Sequence, residues 1–301
     1  MTRSLNFGVL LLVVGVGCAR PVVVGSKNFS EQVILGEMLA LLLEEHGLRV
    51  DRKLNLGGSF ICHRALLSGR MDVYVEYTGT ALAAILKKPV VHDPEEVYRK
   101  VKREYQERFD LAWGPPLGFN NTYALAMRAG QAESLGIRRI SDLAAHVDII
   151  RTGFGHEFLE RKDGFPGLTR AYGLDFATPP SGMELGLIYQ ALTEGEVDLV
   201  AGNSTDGLIE KFGLVVLEDD RRFFPPYDAA PVYRPQAARR YPALGVVLQT
   251  LAGQIDEATM RRLNRAVDND RLPAREVARQ FLLERKWVGP GRVRAAHDGR
   301  E

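Results

Sequence analysis

Cysteine is nearly absent from this chain: two residues in 301, Cys18 and Cys62, are too few for a disulfide framework. Histidine is scarce too, and His156-Glu157 has no second histidine four positions on, which excludes an HExxH zinc helix. No stretch matches the GxxxxGK(S/T) phosphate loop or the GxSxG nucleophile elbow. Nothing local therefore supports an enzyme, and no cofactor or metal is expected. Charge of one sign is also missing. The formal net charge is +1, and the doublets Arg138-Arg139, Arg221-Arg222, Arg239-Arg240 and Arg261-Arg262 are scattered. A nucleic-acid footprint needs a concentrated basic face, so no such partner is expected. Beyond the first residues no apolar run approaches the ~18 positions that a membrane helix needs.

What is there begins with an apolar run from Phe7 to Gly17, behind a single early positive charge at Arg3 and ending at Cys18. That is the layout of a bacterial export signal, and a cysteine directly after Val16-Gly17 resembles a lipoprotein cleavage site. Residues 1–18 are read as the signal and Cys18 as the acylated residue. The mature protein is then extracytoplasmic, in the periplasm or at the cell surface, and lipid-anchored at its N-terminus. With Cys18 so used, Cys62 has no disulfide partner and reads as a small hydrophobe on a helix. The length suffices for two lobes of ordinary domain size.

Val22 to Gly25 reads as a short buried strand, and Ser30 is placed to cap a helix. Its apolar residues Val33, Ile34, Met38, Leu41 and Leu42 share a face until Gly47 stops it. Arg49 to Leu54 and Met71 to Tyr77 read as strands on either side of a helix from Ser59 to Ser68. Asp93-Pro94-Glu95-Glu96 supplies an N-cap, an N1 proline and a reciprocal N3 glutamate for a helix to about Phe109. Strands alternating with helices imply α/β architecture with a mostly parallel sheet.

One pattern occurs twice. Ala65-Leu66-x-x-Gly69-x-x-Asp72-Val73, followed by Tyr77-Thr78-Gly79, returns 126 residues later as Ala191-Leu192-x-x-Gly195-x-x-Asp198-Leu199, followed by Asn203-Ser204-Thr205. In each copy a helix ends at a glycine, an aspartate opens a strand, and a hydroxyl-bearing turn follows the strand. This connection is common in α/β proteins, but the shared spacing out to Tyr77 and Asn203 favours a structural repeat. Ligands of open α/β sheets bind beyond the carboxyl ends of strands, so two such units could face one cleft.

Several polar-aromatic segments lie at these strand ends. GSKNFSEQVILGE (Gly25 to Glu37), DVYVEYTGTAL (Asp72 to Leu82) and FFPPYDAAPVYR (Phe223 to Arg234) are the most specific, with Asn120-Asn121-Thr122-Tyr123, Arg161-Lys162-Asp163-Gly164 and Asn203 to Gly207 between them. In order and spacing they resemble the binding proteins of ABC importers for glycine betaine, choline, carnitine and related osmoprotectants, from about Val22 to Trp287. The resemblance implies a two-lobe type II periplasmic-binding-protein fold with the ligand cleft between lobes. Residues 21–120 and 228–301 would form the first lobe and 121–227 the second. It also implies an importer permease and an ATPase as partners, and a monomer is the default for a protein that must dock with its cleft free.

In that family a cage of tyrosines surrounds a trimethylammonium head, while lysine, arginine and threonine hold a carboxylate. The resemblance carries cage roles to Tyr77, Tyr123 and Tyr227, carboxylate roles to Lys27, Thr80 and Arg161, and a polar contact to Asn121. Asn203 stands where betaine-binding members have a further tyrosine. It reads either as a turn residue without ligand contact or as a hydrogen-bond partner for a ligand more polar than glycine betaine. The chemistry suits those residue types: a quaternary ammonium has no N–H to donate, so ring faces are its best desolvated partners, and a planar guanidinium fork fits a carboxylate. The alternative is a protein of the same fold that binds a more polar zwitterion or amino acid and serves sensing instead of transport.

Overall fold

Three consecutive valines and a glycine form β1 (Val22–Gly25), which is buried throughout because it lies inside a sheet and not at its edge. The computed structural model describes residues 20–289, so Cys18 and the export segment lie outside the described residues. The other strands are β2 (Val50–Lys53), β3 (Val73–Tyr77), β4 (Ala112–Trp113) and β5 (Tyr123–Arg128), then β6 (Thr152–Gly155), β7 (Ser181–Met183), β8 (Leu199–Asn203), β9 (Leu214–Val216) and β10 (Ala229–Tyr233).

They form two five-stranded sheets, ordered β2-β1-β3-β10-β4 and β7-β6-β8-β5-β9. Position by position the two sheets have the same sense. Three strands run parallel, then β10 or β5 returns antiparallel, and the last strand pairs antiparallel with it. The sheets are therefore mixed, where alternation of strands and helices had suggested mostly parallel ones. The antiparallel members, β5 and β10, are the strands that the chain enters directly from the segments crossing between sheets.

The repeated motif is the centre of this likeness, since β3 and β8 occupy the same place in the two sheets. Gly69 and Gly195 both adopt the left-handed conformation, at φ +71° and +77°, which lets the chain turn out of the preceding helix at no Cβ cost. Asp72 accepts a hydrogen bond from the Val23 amide at 2.9 Å, and Asp198 accepts one from the Arg151 amide at 3.0 Å. Each aspartate thus ties its strand to the parallel neighbour. Each also meets an arginine from the antiparallel neighbour: Arg234 at 3.5 Å from Asp72 and Arg128 at 2.6 Å from Asp198. Strand β3 begins at Val73, two residues beyond the expected Met71. Similarly β2 is confined to Val50–Lys53, within the expected Arg49 to Leu54.

Helix α1 (Ser30–Glu45) differs from its sequence reading at both faces. Phe29, not Ser30, holds the cap position, and the Ser30 hydroxyl bonds Asp268. The helix is buried nearly all round, including Leu35, Leu39 and Leu43, because the helices Glu257–Asp268 and Ala274–Glu284 pack on it. Burying each of these large side chains contributes roughly 1.5–3 kcal/mol. Helix α2 (Ser59–Leu67) carries Cys62 as a fully buried free thiol, and burial pushes its pKa up to about 12. At the helix Pro94–Phe109, Asp93 accepts from the Glu96 amide at 2.7 Å, but the reciprocal bond from the Glu96 side chain is not made among the described residues.

Two segments cross between the sheets side by side. Asn120 and Asp228 form an antiparallel bridge, the Asn121 amide donates to the Tyr227 carbonyl at 3.1 Å, and the Tyr227 amide donates to Asn120 Oδ1 at 2.6 Å. The helix Glu257–Asp268 also reaches the second sheet's layer. Gly207 lies so close to it that a Cβ there would meet the Arg265 backbone at 2.8 Å.

Candidate functional site

Several strand ends that lead into the space between the sheets carry or are followed by polar or aromatic side chains. Lys27 follows β1, Tyr77 ends β3 with Thr80 one turn on, and Arg161 follows the short helix after β6. Asn203 ends β8, while Tyr123 begins β5 and Tyr227 precedes β10, whose reversed sense puts their starts at the same edge. A cavity of about 250 Å3 lies there, and all eight residues singled out in the sequence line it: Lys27, Tyr77, Thr80 and Asn121, together with Tyr123, Arg161, Asn203 and Tyr227. Phe29 and Phe158 add aromatic wall.

The two cations are not the free charges that a sequence shows. Lys27 is 4% exposed, and its Nζ lies 2.6 Å from Glu76 Oε1 and 3.3 Å from the Ser59 hydroxyl. Arg161, equally buried, forks onto Asp163, with Nε at 3.0 Å from Oδ1 and Nη2 on Oδ2. Its Nη1 and Nη2 each lie 3.2 Å from the Thr80 hydroxyl, a contact between the two sheets' layers. Asp163 also accepts from the Tyr227 hydroxyl at 2.7 Å. The cavity therefore presents two internally compensated ion pairs, as burial requires, because an unpaired charge in such a place costs several kcal/mol.

Ring faces complete the wall. Lys27 Nζ stands 4.2 Å from the Tyr77 ring centre, and the Arg161 guanidinium 5.5 Å from that of Tyr123. Tyr123 meets Tyr227 edge-on at 5.6 Å and Phe158 at 4.8 Å. Burial pushes the phenol groups of Tyr77, Tyr123 and Tyr227 above their ordinary pKa, so all three are neutral hydroxyls at physiological pH.

Asn203 pairs in register with Tyr123, and its amide N–H donates to Asp206 at 2.9 Å. Its side-chain amide makes no hydrogen bond among the described residues. Asn121 is 5% exposed and donates to Glu31 at 2.8 Å.

Sequence reasoning missed the counter-ions Glu76 and Asp163, the carboxylate Glu31, and its partners Thr205 and Asn264. Glu76 and Asp163 were within reach of it: a lysine or arginine assigned to a closed cleft needs a carboxylate beside it. Asn264 left no signal, since 233 residues separate it from Glu31. Among the described residues no group of side chains could hold a metal ion, and no helix is long and apolar enough to cross a membrane.

Comparison with known proteins agrees with this geometry. Residues 20–284 match the family model described as the substrate binding domain of ABC-type glycine betaine transport systems. An ergothioneine transport permease/ergothioneine binding protein of Helicobacter pylori is 38% identical over 264 residues, covering 87% of this chain; the chain spans 47% of that relative. A glycine-betaine-binding protein of Pseudomonas aeruginosa is 37% identical, with 94% of each chain covered. A crystal structure of a glycine betaine/carnitine/choline ABC transporter superposes with a TM-score of 0.72 at 34% identity, over 88% of this chain and 99% of that one. It shares the two-lobe fold of type II periplasmic binding proteins. With two like sheets facing one aromatic cleft, and with these relatives, the chain belongs to the family of substrate-binding domains of ABC-type glycine betaine transport systems.

Proposed function

We propose that the chain binds a zwitterionic quaternary ammonium solute between its lobes and delivers it to an importer permease driven by a separate ATPase. Tyr77, Tyr123 and Tyr227 would surround the trimethylammonium head, each ring contributing about 0.5–2 kcal/mol. Lys27, Thr80 and Arg161 would hold the carboxylate, and Asn121 the polar side of the head. One observation carries the reading: eight residues spread from position 27 to position 227 converge on one cavity whose two buried cations each have a carboxylate partner. A zwitterion adds no net charge to such a site.

The lobes are taken as residues 21–120 with 228–301, and 121–227, the crossing at Asn120 and Asp228 supporting that division. Substrate-binding proteins of this family are extracytoplasmic. Acylation at Cys18 would hold this one at a membrane surface as a monomer, with no catalytic step of its own. Asn203 favours a betaine that carries a ring or another polar group, because its side-chain amide is committed to no other described residue. The relative named for ergothioneine agrees with that choice.

A thermal-shift screen against glycine betaine, choline, carnitine, a ring-bearing betaine and ordinary amino acids tests the reading. A ligand at about 100 times its Kd adds about 2.7 kcal/mol, a visible rise in Tm. Stabilisation by methylated ammonium compounds, strongest for the ring-bearing one, is the expected result. Stabilisation by plain amino acids alone would overturn the ligand class.

A further inference from the structure

Glu31 lies in the first turn of α1, 2% exposed and outside the cavity wall. Its carboxylate accepts four hydrogen bonds, two on each oxygen. The Tyr77 hydroxyl donates to Oε1 at 2.5 Å and the Asn121 amide at 2.8 Å; the Thr205 hydroxyl donates to Oε2 at 2.5 Å and the Asn264 amide at 2.9 Å. Burial holds the carboxyl above its ordinary pKa, opposed by these four donors.

The donors come from four distant places. Tyr77 ends β3 in the first sheet, and Asn121 lies on a crossing segment. Thr205 follows β8 in the second sheet, and Asn264 sits on the helix Glu257–Asp268. Asn264 Nδ2 also donates to the Thr205 carbonyl at 2.9 Å, so the second lobe is gripped at one residue by two side chains of the first. Both asparagines leave Oδ1 without a protein partner in order to aim their amide nitrogens at Glu31. A buried carboxylate is a poor choice for stability alone, since an apolar residue of like volume fills such a space at lower cost.

We propose that Glu31 is a closure latch: it fixes Tyr77 and Asn121 on the cleft wall and, through Thr205, holds the second lobe against that wall. It is a positioning residue and does not touch the solute. When the lobes part, Thr205 leaves both Glu31 and Asn264, so the latch stabilises the closed state selectively and shifts the open–closed balance. The role in binding rests on the ligand reading above; the role in closure does not.

The test uses the full chain carrying Cys18→Ser, with spin labels at Arg103→Cys and Glu133→Cys on the outer surfaces of the two lobes. In the ligand-free protein, Thr205→Val and Glu31→Gln each lower the fraction at the short interlobe distance, while Thr205→Ser, which keeps the hydroxyl, does not. With glycine betaine as probe, each disruptive variant raises koff about ten-fold with kon little changed, the size of one lost charge-assisted bond. The double variant is no worse than Glu31→Gln alone, because that change already removes the Thr205 contact. An unchanged distance distribution in Thr205→Val overturns the latch, as do multiplicative effects in the double variant. Should Glu31→Gln not fold, the Thr205→Val and Thr205→Ser pair decides alone. If the unlabelled protein binds no methylated ammonium compound while Thr205→Val still opens the lobes, the ligand reading has failed and the latch stands.

Discussion

The Lys27 ammonium lies 4.2 Å from the centre of the Tyr77 ring and 2.6 Å from Glu76. A tyrosine assigned to a cation cage thus already stacks on a cation, and that cation has its own counter-ion. Glu76 is fully buried and also accepts from the Tyr74 hydroxyl at 3.1 Å and the Tyr77 amide at 2.8 Å. Ring, ammonium and carboxylate form one unit, of which Lys27 and Tyr77 line the cleft.

Breaking that unit on one side is costly. Lys27→Met leaves a buried carboxylate without its cation, and stability measured by urea unfolding should fall by about 3–5 kcal/mol. Lys27→Met combined with Glu76→Gln should recover most of the loss. If the double variant is as unstable as the single one, the pair is not the unit described.

The aromatic wall should act on methylated ammonium groups through ring faces. Tyr123→Leu keeps an apolar side chain but removes the face, and should weaken glycine betaine binding by about 2- to 30-fold in calorimetric titration, the equivalent of about 0.5–2 kcal/mol. An unchanged Kd would remove Tyr123 from the cage.

Asn203 faces Tyr123 across the β5–β8 pair. Asn203→Tyr restores a ring and should tighten glycine betaine or choline binding several-fold, on the order of 1 kcal/mol. It should also weaken binding of any ligand that bonds the Asn203 amide. Unchanged or weaker binding of both simple compounds would count against this assignment.

Asp206 supplies a pH test. Burial pushes its carboxyl up to about 6 from an ordinary 3.8, although Tyr189 donates to it at 2.6 Å. The folded state therefore holds this proton more tightly than the unfolded chain does. The stability this group contributes is fully present below about pH 4 and is lost as pH rises through about 6. Asp206→Asn removes that dependence, so the Tm of the variant relative to wild type should be higher at pH 7 than at pH 4.5. A constant difference across that range would show that Asp206 titrates normally.

Much of the fold was legible in local pattern, because glycine and aspartate at fixed spacing mark where a helix must turn and a strand begin. Gly69 with Asp72 and Gly195 with Asp198 do this twice, and in both copies the aspartate accepts from a backbone amide at the start of the parallel neighbour. Strand sense was not legible: β5 and β10 look like any other strand, and only the crossing segments reverse them. At the cleft, the positions carried over from the family line one cavity, because they lie at strand ends or in the turns, short helix and crossing segment beside them. What those residues touch was less visible. Glu31 sat inside the segment Gly25 to Glu37, but no local rule connects it to Thr205 or Asn264. The pairing of Lys27 and Arg161 with carboxylates followed from burial, a property that a sequence gives only indirectly.

The most direct test of a cleft built for a quaternary ammonium zwitterion is calorimetric titration with glycine, N,N-dimethylglycine and glycine betaine, which share a carboxylate and differ in N-methylation. The account predicts affinity rising along that series, with glycine bound too weakly to measure, because each added methyl group replaces a solvated N–H or proton with surface suited to ring faces. Equal affinity for the three, or tightest binding of glycine, would contradict it.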